Sequence, residues 1–255
     1  MVTSLLRACW LLPALAASSF ASNSIVNLSH YDEIRPDFAQ MRREGIVAAI
    51  HEATYPSGQT DPAYRSRQDD ASRAGLLWGA YHFADASDPV RQADKFLSVV
   101  GAQWQASSGT SDAPGVLLVL DFEKNGHYPG GTMRVDQAVT FVERIQQRTG
   151  RYPGIYSGEN RIRSVLNSPQ VSAEAKRVLT KCWLWLANYH YEPRATAPWS
   201  GWALWQYTGD GVCELPRSAF PTGVANIRHA ERNIFRGSTT AVRSFWEKCA
   251  WNPGK

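Results

Sequence analysis

The sequence lacks the motifs of several common enzyme classes. Its four cysteines include no C-x-x-C pair, which argues against a zinc site built on cysteine. The segment "HEATY" from His51 lacks the second histidine of the metalloprotease motif H-E-x-x-H. The segment "YSGEN" from Tyr156 does not provide the G-x-S-x-G turn of serine hydrolases. These absences disfavour metal and serine hydrolysis, and we expect no metal and no cofactor.

The sequence also has little net charge. The chain has 27 Lys and Arg against 23 Asp and Glu, a formal charge of +4, and no basic run is denser than Arg42–Arg43. This small excess predicts no nucleic-acid partner. It would suit weak attraction to an anionic bacterial wall, but it fits ordinary surface charge better. The 44% apolar and 20% charged residues are typical of a globular protein. No linker rich in Pro, Gly or Ser divides the 255 residues, so we expect a single domain. We expect this domain to be a monomer.

The N-terminus differs from the rest of the chain. Arg7 is the only charged residue before Asp32, and it precedes the apolar run "ACWLLPALAA" and then the small residues "SSFAS". This layout is typical of a secretory signal, and the run is too short to span a bilayer. We predict a signal peptide over residues 1–21, a secreted or periplasmic protein, and no membrane insertion after its removal.

Export changes the interpretation of the cysteines. Cys9 would leave with the signal, so Cys182, Cys213 and Cys249 would remain. Three cysteines allow one disulfide in any of three pairings, and an oxidising compartment favours one bridge. A bridge from Cys249 would attach the C-terminal tail, residues 238–255, to the domain.

Short apolar runs alternate with longer amphipathic segments along the chain. Strand-like runs begin at Ser24, Ile46, Leu76, Gly115, Tyr152, Cys182 and Trp202, and helical patterns separate most of them. This alternation predicts a parallel sheet, and the number of units favours a closed barrel over an open sheet. We therefore predict an α/β fold, a modified and irregular TIM-like β/α barrel over residues 25–237, with few helices after Lys181.

One strand-like run, "VLLVLDFE" from Val116, ends in two carboxylates. Side chains two residues apart share a strand face, so Asp121 and Glu123 should both point into the barrel mouth, where β/α barrels place functional residues. Two such carboxyls titrate at different values, which suits an acid and a carboxylate that together cleave a glycosidic bond. By itself the D-x-E pattern fits a metal-binding or salt-bridged pair equally well. His82, the nearest candidate ligand, better fits a packed, hydrogen-bonded histidine.

Polar and aromatic residues follow other strands at the same edge. The chain contains 10 Trp and 10 Tyr, whose flat faces suit sugar rings. Strand-end candidates are Asn27, Glu52, Tyr81, His82, Tyr156, Asn188, Tyr189 and Gln206.

Eight segments in order resemble the lysozymes of glycoside hydrolase family 25. They are "NLSHY" from Asn27, "HEAT" from His51, "AGLLWGAYHF" from Ala74, "VLDFE" from Val119, "YPGIYS" from Tyr152, "WLANY" from Trp185, "ALWQYT" from Ala203 and "ERNIF" from Glu231. The resemblance implies hydrolysis, with retention, of the β-1,4 bond between N-acetylmuramic acid and N-acetylglucosamine in peptidoglycan glycan strands. Glu123 matches the family's catalytic acid, and Asp121 matches the carboxylate that assists the substrate's acetamido group. The resemblance also implies substrate contacts from Asn27, Tyr81, Tyr156, Trp185, Asn188, Tyr189, Gln206 and Glu231.

Two positions depart from the family pattern. The family usually has Asp where this chain has Asn27, and again Asp where it has Glu231. We hypothesise an active enzyme with an altered substrate preference or pH optimum. Two alternatives remain: a wall-binding module that has lost catalysis, and a chitinase-like glycosidase. Chitinases that use acetamido assistance carry D-x-D-x-E, whereas Val119 occupies the first of those positions here.

Overall fold

The computed structural model describes residues 21–32, 34–107, 114–166 and 168–254. The predicted signal peptide, apart from Ala21, lies outside the described residues. The strands within these ranges are β1 (Ser22–Leu28), β2 (Ala48–Tyr55), β3 (Gln59–Thr60), β4 (Leu77–Phe83), β5 (Val116–Asp121), β6 (Gly154–Gly158), β7 (Trp183–Ala187), β8 (Leu204–Thr208) and β9 (Glu231–Phe235).

Eight of these strands close into a barrel. Their order is β1-β9-β8-β7-β6-β5-β4-β2, and parallel pairing of β1 with β2 completes the ring, while the two-residue β3 is an appendage of β2. β9 runs antiparallel to both neighbours, whereas the other barrel strands are parallel. The prediction of an irregular β/α barrel in one domain is confirmed. The strand pattern had not predicted β9, because its first three residues, Glu231 to Asn233, are polar.

The helices are α1 (Phe38–Arg43), α2 (Tyr64–Arg73), α3 (Pro89–Ser107), α4 (Val135–Thr149), α5 (Glu159–Arg161), α6 (Ala173–Leu179) and α7 (Thr239–Cys249). Local signals set several ends. Asp37 caps α1 by accepting the Gln40 N–H at 2.8 Å, and Gly150 ends α4 in the left-handed conformation, at φ 72°. No helix separates β7 from β8, in agreement with the sequence pattern. Among the described residues, no helix has the length and apolarity needed to cross a membrane.

The C-terminal helix closes the barrel at the end opposite the mouth. α7 inserts Val242 and Trp246, both fully buried, into the apolar cluster inside the barrel. The Trp246 indole donates to the Trp78 carbonyl at 2.8 Å. Beyond α7, Trp251 pairs with Val116 at the start of β5 through two backbone hydrogen bonds of 2.8 and 2.9 Å. The tail is therefore part of the barrel's core.

We expect Trp246→Ala to destabilise the protein strongly, because it empties the barrel interior and leaves a carbonyl without its donor. Loss of such a buried aromatic costs about 3–5 kcal/mol, which corresponds to a Tm lower by roughly 6–20 °C. Thermal unfolding monitored by circular dichroism would measure the change. Exposed Glu247 on the same helix is the matched control. An equal effect of Glu247→Ala would contradict this account of α7.

The prediction of one disulfide is wrong for this structure. Cys182, Cys213 and Cys249 are all free thiols. Cys182 is buried in the outer core between barrel and helices, and Cys213 packs against the same core. Cys249 lies at the end of α7 and packs against the inner cluster instead. The core itself holds the tail in place, without a covalent bridge.

Candidate active site

A cavity of about 190 Å³ opens at the carboxyl ends of the parallel strands. Alternation along each strand builds it: residues 117 and 119 of β5 face the apolar interior, and Asp121 is the next inward position. The same alternation directs Asn27, Tyr81 and Glu231 to the mouth. The cavity is lined by Asn27, Ser29, Tyr31, Glu52, Tyr81, Phe83, Asp121, Glu123, Tyr156, Trp185, Tyr189, Asp210 and Glu231.

The two carboxylates of the D-x-E segment meet in this cavity. Asp121 ends β5 opposite Tyr156 of β6, and its Oδ1 is shielded from solvent without a hydrogen-bond partner. Glu123 lies just beyond the strand, and its Oε1 accepts the Gly158 N–H at 3.1 Å. Ser157 and Arg161 hold the intervening Phe122 carbonyl with donors at 2.9 and 3.0 Å. These bonds fix the backbone that carries both carboxylates.

Burial is the main cause that raises the pKa of both groups. Burial first, and then the charge of Glu123, raises the pKa of Asp121 well above its ordinary value. Burial also raises the pKa of Glu123, while the Gly158 N–H opposes that rise. The half-buried Arg161 lowers both values, because its guanidinium favours the charged carboxylates. The pair therefore keeps a proton to higher pH than ordinary carboxyls would, as a general acid requires.

The two positions that depart from the family pattern contact each other. Asn27 donates its side-chain N–H to a carboxyl oxygen of Glu231. The Asn27 carbonyl oxygen accepts from the Asn233 amide at 2.8 Å and from the Gln206 amide at 3.4 Å, which fixes the orientation of its amide. Burial, followed by the charges of Asp32 and Asp210, raises the pKa of Glu231 to about 8. The amide of Asn27 is thus a neutral donor next to a carboxyl that is costly to ionise.

We expect the pH dependence of stability to report on Glu231. Its pKa is about 8 when folded against 4.5 as the reference value, so the folded state binds the proton more tightly. The stability that the protein gains from this proton is therefore complete below the unfolded pKa of Glu231. It is lost as the pH rises through the folded pKa. The Tm of the wild type should fall between about pH 5 and about pH 8. The Tm of Glu231→Gln, which keeps an acceptor for Asn27, should fall less over the same range. Identical Tm profiles of the two proteins would refute this assignment.

Two predicted substrate-binding residues do not line the cavity. Gln206 lies beneath it, 1% exposed, where its amide oxygen accepts from Tyr156 and, at 3.4 Å, from Tyr189. Asn188 points away and donates to Glu159, while its amide oxygen accepts the His190 N–H at 3.0 Å. Gln206 supports residues of the pocket, and Asn188 organises the loop after β7. The other eight predicted site residues all line the cavity.

The structure adds residues that the sequence had not assigned to the site. Ser29, Tyr31, Phe83 and Asp210 line the cavity, and so does Glu52, which the strand-end pattern had identified without a role. Arg161 had no recognisable signal, because it lies one turn into the segment after β6. Its contact with the backbone of Phe122 depends on the tertiary fold.

One group of side chains could hold a cation within the described ranges. Ligand atoms of His30, Glu52 and Asp61 all lie within 4.8 Å of one another. His30 Nδ1 is 2.8 Å from Glu52 Oε2 and 3.0 Å from Asp61 Oδ2, so hydrogen bonds already join the three side chains. His82, by contrast, contacts Thr54 and Gln92 in the core at 2.8 and 2.9 Å, and burial lowers its pKa to about 4. It is a packed histidine, as expected.

A β/α barrel with two neighbouring carboxyls at the end of a strand has the architecture of a glycoside hydrolase. Sequence comparison agrees: residues 26–214 match glycosyl hydrolases family 25, and the chain belongs to that family.

Two curated relatives cover most of the chain. Lysozyme M1 of Streptomyces globisporus is 28% identical over 228 residues, which are 85% of this chain and 69% of the relative. The uncharacterized protein YegX of Escherichia coli is 30% identical over 211 residues, 81% of this chain and 66% of the relative. The chain thus spans about two thirds of the length of these relatives.

Solved structures share the fold. A bacterial lysozyme from Streptomyces coelicolor superposes with a TM-score of 0.69 at 24% identity, covering 92% of this chain and all 100% of that one. A family 25 lysozyme from Aspergillus fumigatus gives a TM-score of 0.61 at 24% identity, covering 86% of this chain and 96% of that one.

Proposed function

We propose that this protein is an N-acetylmuramidase that cleaves the β-1,4 bond between N-acetylmuramic acid and N-acetylglucosamine in peptidoglycan. The family to which the chain belongs and the name of Lysozyme M1 support this substrate class. The observation that carries the proposal is the pairing of Asp121 with Glu123 at the mouth. A module that only bound wall polymers would gain nothing from two partly buried carboxyls of like charge placed side by side.

The two carboxyls take different roles in this proposal. Glu123, with its raised pKa, protonates the leaving glycosidic oxygen. Asp121 has a shielded oxygen without a partner, and the N–H of a substrate acetamido group is a suitable donor for it. That bond favours the ionised form of Asp121 and leaves the pair's proton on Glu123. The acetamido oxygen then attacks the anomeric carbon, and hydrolysis of the resulting ring gives retention.

Asn27 and Glu231 are proposed to adjust the substrate grip and the pH optimum, since both line the cavity beside this pair. Four further aromatic side chains line the cavity and are proposed to contact the substrate: Tyr81, Tyr156, Trp185 and Tyr189. The predicted signal over residues 1–21 would direct the enzyme out of the cytoplasm, where its substrate is. We propose that the enzyme acts there as a monomer.

Digestion of purified peptidoglycan tests the proposal. We expect new reducing ends of muramic acid, identified by mass spectrometry after reduction, from the wild type and not from Glu123→Gln. Digestion of chitin in parallel separates the chitinase-like alternative, which requires soluble N-acetylglucosamine oligomers. Products from neither protein, with wall binding retained by both, would favour the binding module.

A further inference from the structure

Four aromatic side chains form a continuous surface at one side of the cavity. We call His30, Tyr31, Tyr55 and Tyr128 the aromatic wall. The His30 ring lies 4.1 Å from Tyr31 and 5.0 Å from Tyr55, centroid to centroid, and Tyr55 lies 5.4 Å from Tyr128. The hydroxyls of Tyr31 and Tyr128 are hydrogen-bonded to each other. Segments far apart in the sequence thus converge on one surface.

Buried polar groups hold this surface rigid. His30 Nδ1 is fixed by Glu52 and Asp61, and the His30 backbone N–H donates to Asp61 Oδ2 at 2.8 Å. Asp61 is itself anchored, since its Oδ1 accepts the Ala63 N–H at 2.7 Å. The His30 ring therefore has a fixed orientation between two tyrosines. This cluster of one histidine and two carboxylates has no part in the proposed catalysis.

The Tyr128 side of the wall is fixed by its own loop. The Tyr128 N–H donates to Asn125 Oδ1 at 3.0 Å, and the Asn125 amide donates to the Gly131 carbonyl at 3.0 Å. Asn125 is only 7% exposed. Its buried amide closes the loop that follows the catalytic pair, so the position of Tyr128 is set relative to Asp121 and Glu123.

The wall is both exposed and continuous with the cavity. Tyr31 is 65% exposed and also lines the cavity, as does Phe83, whose ring lies 5.8 Å from Tyr128. Rigid aromatic faces that remain exposed beside a cleft offer apolar area that a ligand can cover without ordering new side chains.

The cavity is too small to hold a polymer. Its volume of about 190 Å³ is below the ~300–1,000 Å³ of sites that enclose drug-sized ligands. One sugar ring at the catalytic pair would fill it, and the next ring must lie outside, against the rim. The aromatic wall is a part of the rim that offers flat rings.

We propose that the aromatic wall is a second sugar-binding subsite, on which the N-acetylhexosamine ring next to the one in the cavity stacks. This inference rests on the proposed function, because it takes the substrate to be a glycan strand. The stacked ring would contact Tyr31 and Tyr128 with its C–H face. His30, Glu52 and Asp61 are then positioning residues that act through the wall.

Binding by a catalytically inactive parent, Glu123→Gln, tests the subsite. The probes are soluble peptidoglycan glycan strands of several disaccharides and the monosaccharide N-acetylmuramic acid, which can fill only the cavity, each titrated by calorimetry. We expect Tyr31→Ala and Tyr128→Ala each to weaken strand binding about tenfold, a stacking contribution of ordinary size. Tyr128, unlike Tyr31, does not line the cavity, so Tyr128→Ala should leave monosaccharide binding unchanged. Tyr31→Phe keeps the ring and should retain strand affinity, which separates stacking from the hydroxyl contact with Tyr128.

Tyr152→Ala is the matched control. Tyr152 is a partly exposed tyrosine just before β6, at the opposite end of the barrel. Its replacement by Ala should leave the affinities for both probes unchanged. Unchanged strand binding in the two wall variants, or equal weakening of both probes by Tyr128→Ala, would overturn the subsite. If the parent binds strands through the wall while the wild type cuts none, the proposed function fails and the subsite stands. A parent that binds neither probe would overturn both.

Discussion

Glu123→Gln should lower kcat on peptidoglycan about 10²- to 10⁴-fold, the range over which a positioned general acid contributes. The amide keeps the size of the side chain and its oxygen can still accept the Gly158 N–H, so the loop geometry is preserved. What the variant loses is the proton held on Glu123 by burial. The measurement is the initial rate of reducing-end release at saturating substrate, with KM expected to change little.

Exposed Glu247 is the control for this variant. Glu247→Gln removes the same charge on α7, outside the catalytic mouth, and should have full activity. A Tm equal to that of the wild type would show that Glu123→Gln is folded. Wild-type kcat in Glu123→Gln would assign the acid to another group, for which Glu52 and Glu231 would be the candidates in the cavity.

Asp121→Asn should reduce kcat about 10²- to 10³-fold, the usual cost of removing one group that stabilises charge in the transition state. The proposed acceptor for the acetamido N–H would become an amide, which cannot balance the positive charge that develops on the attacking group. The free energy of unfolding should not fall, because the variant replaces a carboxyl that is costly to ionise and whose Oδ1 has no partner.

The pH profile of the residual activity gives a second readout. The charge of Glu123 raises the pKa of Asp121. In the proposed mechanism Asp121 is the ionised member of the pair, and a like charge raises the pKa of a neighbouring carboxyl, so replacing Asp121 by a neutral amide should lower the pKa of Glu123. Activity that requires protonated Glu123 is lost as the pH rises through that pKa. The basic limb of kcat should therefore move to lower pH in Asp121→Asn. A basic limb that stayed in place would mean that the two carboxyls do not interact during catalysis.

Local patterns predicted much of the fold and the centre of the site. Each of the seven strand-like runs became a strand, because their apolar residues are buried on both faces of a parallel barrel. Asp121 and Glu123 were placed correctly at the mouth, since alternation along a strand is a local property. The family resemblance added the positions of Asn27 and Glu231, and comparison confirmed the family.

Contacts between distant segments could not be predicted in this way. No local pattern indicates that Asn27 and Glu231, 204 residues apart, share a hydrogen bond, so two separate departures from the family proved to be one interacting pair. The role predicted for Asn188 followed a motif, yet its side chain turns to Glu159. The disulfide prediction followed compartment and cysteine number, and it was wrong because the free thiols pack against different parts of the core.

The sequence by itself determined the order of strands and helices, the alternation of apolar residues and the position of the carboxylate pair at the end of β5. These depend on residues close together in the chain. Only the tertiary structure decided that antiparallel β9 completes the barrel, that α7 fills its base, and that His30, Tyr31, Tyr55 and Tyr128 form one wall. The physical reason is that barrel closure brings side chains from separate loops together at one mouth, and their burial and charges then depend on neighbours that the local sequence does not specify.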